Sequence, residues 1–149
     1  LLEAKSEATA DFMAQYEEKE RDYLQLFDDV PVTSSITFFR PAHGVVLTPY
    51  SPENKQIGVE IQTPKNENAT AILAGSIVMI DYAINNTYTI VVQHQSYISV
   101  YRNLSSVLKR VGDVVQSGES IALCSGTIPL HFELWLNGKH MNPEDVIVF

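Results

Sequence analysis

The apolar positions of this chain change period once. From Glu3 to about Phe27 there is neither Pro nor Gly, and Phe12, Met13, Tyr16, Tyr23, Leu24 and Phe27 recur at helical spacing among acidic residues. This predicts one amphipathic helix over residues 1–29. Its stripe would suit packing on its own domain, the end of a longer coiled coil, or an arm that binds a partner. Asp28, Asp29, Pro31, Ser34, Ser35 and Pro41 have the composition of a connection, and residues 30–37 read as a linker. A body over residues 38–149 follows. There the pattern becomes strand-like, in short β-branched runs at 44–48, 57–63, 71–80, 88–94, 97–101, 120–124 and 130–136. Turn-forming residues separate the runs: Pro49 and Pro52, Pro64, Asn85-Asn86, Gly112-Asp113, Ser117-Gly118 and Asn137-Gly138. With one short helical candidate at 104–109, the body is expected to be mainly β, an antiparallel sandwich or open barrel.

A length of 149 residues limits the chain to one such domain plus a small appendage. The net charge of −8 argues against nucleic-acid binding, which needs a basic surface. Most of that charge lies in residues 1–29, which hold nine acids against three bases. Cys124 is the only cysteine, so neither an intrachain disulfide nor a Cys-x-x-Cys site can form. No stretch approaches a membrane-spanning length, and Leu1 in place of Met suggests a removed leader or anchor.

Six sequence pieces then occur in a specific order: Pro41-Ala42-His43-Gly44; Gly58-Val59-Glu60-Ile61; Ala71 to Gly75 followed by Ile77; 91-VVQHQSY-97 with 101-YRNL-104; 111-VGDVVQSGESIA-122; and 129-PLHFELW-135 with 138-GKHMNPEDVI-147. Across residues 38–149 this order resembles the LytM/lysostaphin-type peptidoglycan endopeptidases. The resemblance implies their fold, the duplicated hybrid motif, and a groove with a catalytic zinc held by three protein ligands, the fourth position being open to water.

Carried over position by position, the family's ligands from His-x-x-x-Asp fall on Gln56 and Glu60, and the ligand at the second His of His-x-His falls on His131. An amide oxygen is a poor zinc donor, and the longer Glu60 would need a reshaped site. The two proton-handling histidines fall on Pro129 and Asn103, which cannot shuttle protons. Only His131 keeps its identity. The loop at 125–129 is shortened beside the family's Gly/Ser-rich stretch. Glu133, two residues beyond His131 on the same strand face, reads as the partner that orients it.

The resemblance therefore implies a pseudo-metallopeptidase with no bound zinc. Among relatives of this kind are activators of cell-wall amidases and scaffolds at the division site, located in the periplasm or elsewhere outside the cytoplasm. Their groove takes a protein, here a cell-wall amidase or a division-associated membrane protein. Gln56, Glu60, Tyr101, Asn103, His131 and Glu133 are candidates for lining such a groove, with Tyr50, Tyr97 and Trp135 as further aromatic candidates. Two alternatives stand beside this reading: a module that binds peptidoglycan itself, and an active endopeptidase using Glu60, His131 and a substitute ligand. His94 reads as a structural histidine on an apolar strand, and His43 and His140 as solvated loop residues.

Overall fold

Strict alternation in 130-LHFELWL-136 and 97-YISVYRN-103 places every second side chain of two neighbouring strands in one core, and the sheet is organised around this pair. The structure, a computed structural model, describes residues 36–149. The predicted helix over 1–29 and most of the linker over 30–37 lie outside the described residues. Ten strands follow in chain order: β1 (Val45–Thr48), β2 (Val59–Gln62), β3 (Asn68–Thr70), β4 (Gly75–Tyr82), β5 (Tyr88–His94), β6 (Tyr97–Val107), β7 (Val114–Val115), β8 (Ser120–Cys124), β9 (Leu130–Leu136) and β10 (Lys139–Met141). All recorded pairings are antiparallel, and the sheet runs β1-β2-β9-β6-β5-β4-β7 without closing, with β10 beside β9 and β3 beside β8. This is the expected mainly β architecture in its open form. Among the described residues, no helix is long and apolar enough to cross a membrane.

β6 joins the halves of the sheet. Its first part pairs with β5 on one side and β9 on the other, and its last part, from Leu104 to Val107, pairs with β8. The helical turn expected at 104–109 is therefore mostly strand. Leu104 is fully buried and Val107 packs on the core, so the segment gains more by continuing the ladder than its local sequence suggests. Asn103, with φ of 69°, marks the change of partner. Asn tolerates this left-handed conformation better than most residues.

One face of the sheet carries the main core, with Val59, Ile61, Tyr101, Leu104, Phe132 and Leu134 fully buried. The other face holds a smaller cluster of Val91, Ile98, Val100 and Trp135. The hairpin between β9 and β10 turns on Asn137-Gly138, both with positive φ, as a two-residue turn matched to strand twist requires.

Candidate functional site

The smaller-cluster face of the sheet carries the chemistry. On β9, His131, Glu133 and Trp135 point to this face, while Leu130, Phe132 and Leu134 enter the main core. The ladder sets their neighbours: Arg102 of β6 lies directly across from His131, Val100 across from Glu133 and Ile98 across from Trp135. From the other side, Glu60 of β2 also pairs with His131. A row of Arg102, His131 and Glu60 thus crosses three strands.

Glu133 anchors this row from below. It is 2% exposed. Its Oε2 accepts a hydrogen bond from His131 Nε2 at 2.7 Å, and its Oε1 accepts one from Trp135 Nε1 at 3.0 Å. Arg102 Nε stands 3.5 Å from Oε2. Burial pushes the Glu133 carboxyl up, but the His131 hydrogen bond, the charges of Arg102 and His131 and the Trp135 hydrogen bond outweigh it. The net effect holds Glu133 below the usual carboxylate range, ionised at neutral pH. Because a carboxylate only accepts, the proton of neutral His131 lies on Nε2, and Nδ1 keeps its lone pair.

The glycine at position 58 makes room for the pair. A Cβ there would stand 2.4 Å from the Phe132 carbonyl oxygen, 2.9 Å from Glu133 Cγ and 3.1 Å from His131 Cε1. Gly58→Ala should therefore push β2 away from β9 and lower stability by about 2 kcal/mol in urea unfolding. Wild-type stability in that variant would show that the approach is not tight.

Two other positions that the sequence places in the zinc site, Gln56 and Asn103, are turned to internal partners. Gln56 Nε2 donates to the Gly58 carbonyl at 2.9 Å, in the hairpin where Ser51 bridges to Gln56. Asn103 Nδ2 donates to the Pro129 carbonyl at 3.1 Å and so fastens the bend of β6 to the start of β9. Among the described residues no three His, Cys, Asp or Glu side chains come together as a set that could hold a metal ion. His131 keeps Nδ1 free as a donor, but with the Gln56 amide turned to the Gly58 carbonyl and no third His, Cys, Asp or Glu gathered beside it among the described residues, this donor set does not fit a three-ligand zinc centre.

Several sequence-based expectations need correction. Tyr101 does not line the groove. It is fully buried, packs edge-on against Phe132, donates its hydroxyl proton to the Thr70 carbonyl and accepts from Ile72 N–H. Alternation sends Tyr101 into the core and turns its neighbour Arg102 to the groove side. Tyr97 and Trp135 are also buried. His140 is not a solvated loop residue: it sits on β10, hydrogen-bonded to the Tyr50 hydroxyl at 2.7 Å and edge-on to Trp135. His43 is exposed and paired with Glu67. His94 is buried, donating from Nδ1 to the Ala74 carbonyl and accepting the Ser99 hydroxyl proton at Nε2. Arg102 is the residue that sequence reasoning missed. It occupies the unspecified position of the Tyr-x-His-Leu piece, and only the cross-strand register brings it to His131.

The sequence profile of peptidase family M23 matches residues 54–143, more than half of the chain. The chain belongs to this family, the LytM-type peptidases. The M23 domain is 30% identical over 95 residues, 60% of the chain, to an "Uncharacterized metalloprotease" of Buchnera aphidicola. It is 25% identical over 119 residues, 75% of the chain, to "Outer membrane antigenic lipoprotein B" of Histophilus somni. The chain spans 25% and 35% of the lengths of these relatives. Among solved structures, Csd3 of Helicobacter pylori superposes with a TM-score of 0.68 at 19% identity, covering 76% of this chain and 35% of that one. At that identity the likeness concerns the M23 fold alone.

Proposed function

We propose that this M23 domain works without catalysis in the bacterial cell envelope, as a scaffold whose groove docks a component of the peptidoglycan-remodelling machinery, a cell-wall amidase or a division-associated membrane protein. One observation carries the reading. Three of the polar side chains standing where the family's chemistry resides are hydrogen-bonded within the protein: Gln56 to Gly58, Asn103 to Pro129 and His131 to Glu133. A groove whose Gln56 and Asn103 amides are turned to backbone carbonyls can recognise a surface, but it lacks the third metal ligand and the proton carrier that hydrolysis needs. Its similarity to an outer-membrane lipoprotein supports an envelope location.

Two assays test this. Incubated with excess zinc and purified peptidoglycan, the full chain should release no stem-peptide fragments detectable by chromatography. Stoichiometric metal together with turnover would refute the non-catalytic reading. Added to a cell-wall amidase of the same organism acting on dye-labelled sacculi, the chain should raise dye release several-fold, and Glu60→Arg in the groove should abolish the gain. Retention on sacculi with no stimulation would instead favour a wall-binding module.

A further inference from the structure

Glu133 is a buried carboxylate, and Glu60 brings a second carboxylate to the other side of His131. A buried carboxylate requires a compensating charge. In a zinc centre the metal would supply it, but the donors here do not fit one. His131 contributes a hydrogen bond, and its ring carries a charge only when protonated. The permanent positive charge comes from Arg102, whose Nε is within ion-pair distance of the same oxygen, Oε2, that holds His131. That Nε is shielded from solvent and makes no hydrogen bond. Charge thus accounts for its position better than hydrogen-bond geometry does. The placement is fixed by the ladder: Arg102 is the residue of β6 directly opposite His131, within about 5 Å at the Cα atoms.

We infer that Arg102 is the resident cation of this groove, supplying through its guanidinium the charge that a divalent metal would otherwise bring and thereby excluding such a metal. The inference rests on the metal-free reading of the site. It adds that restoring the family's ligands is not enough to restore metal binding, because an incoming dication would meet a fixed positive charge beside His131.

The test is zinc titration by isothermal calorimetry on the full chain in four forms: unmodified, Gln56→His with Glu60→Asp, that double variant with Arg102→Ala, and the double variant with Arg102→Lys. Thermal unfolding of each confirms that it is folded. The Arg102→Ala form should bind zinc at least about tenfold more tightly than the double variant, since removing a like charge a few ångströms away favours the metal. The Arg102→Lys form, which keeps the charge on a folded scaffold and loses the guanidinium, should stay as weak as the double variant. Equal affinity of the double and Arg102→Ala forms would overturn the inference, as would a Lys form that binds as tightly as the Ala form. Failure on either count leaves the amidase and peptidoglycan assays to decide the non-catalytic reading independently. Stoichiometric zinc uptake by the unmodified chain would overturn both.

Discussion

Glu133→Ala should lower the unfolding free energy by about 3 kcal/mol, because it leaves a guanidinium on the sheet without its carboxylate and two ring N–H donors without their acceptor. The Arg102 side chain is 29% exposed, so water can relieve part of the loss, and the effect falls at the lower end of the range for broken buried ion pairs. Glu133→Gln, which keeps an acceptor but removes the charge, should fall between the wild type and Glu133→Ala. Urea unfolding of the three proteins measures the series. An Ala variant within 1 kcal/mol of the wild type would mean that Glu133 does not anchor the groove.

The second large effect is a loss of stability in mild acid that arises from His94. Its ring is enclosed between the Ala74 carbonyl and Ser99, and burial pushes its pKa down to about 4 against the backbone hydrogen bonds, which favour the cation. The unfolded chain binds a proton near the ordinary value of about 6.5, while the folded one remains neutral until about pH 4. The contribution of His94 is therefore fully present above about pH 6.5 and is lost as pH falls through that window. The loss approaches 3 kcal/mol in total, at up to about 1.4 kcal/mol per pH unit. Glu133 has the same sign, but its folded pKa lies below the ordinary carboxylate value, so its loss comes at lower pH. Melting temperatures measured from pH 7.5 to 4.5 should fall steeply for the wild type and less steeply for His94→Gln. Parallel curves would rule out His94 as the source.

The fold was legible in sequence wherever a strand is long and edged by turn residues. The runs 88–94, 120–124 and 130–136 coincide with β5, β8 and β9. Three elements were not legible, β3, β7 and β10, which are two or three residues long and too short to show a period. β4 begins at Gly75, not at 71, because Ala71 and Ile72 are buried by loop packing around Tyr101 and Gly118. β6 runs beyond its apparent end because its pairing with β8 is tertiary, and no local pattern shows it. The groove divides in the same way. Gln56, Glu60, Asn103, Pro129 and His131 could be named from motif order, as could Glu133 as the partner of His131, but the partners of Gln56 and Asn103 could not. Tyr101 and Arg102 are adjacent in sequence and face opposite ways, so only the register decides which one meets His131.

The strand order also bears on how the groove comes to exist. Glu60 and Arg102 both border His131, yet Glu60 and His131 are about 70 residues apart in sequence, and β2 meets β9 only after β3 to β8 have been laid down. Contacts of such separation carry a large loop-closure cost and are compensated late, once the intervening sheet holds the ends together. The hairpins β4-β5 and β5-β6 are local and can form early, but of the Arg102, His131 and Glu60 row they contain only Arg102. The row is thus a property of the finished topology. A chain in which β9 has not yet been made brings neither Glu60 nor Arg102 to His131, so this row of side chains cannot assemble before that strand is in place.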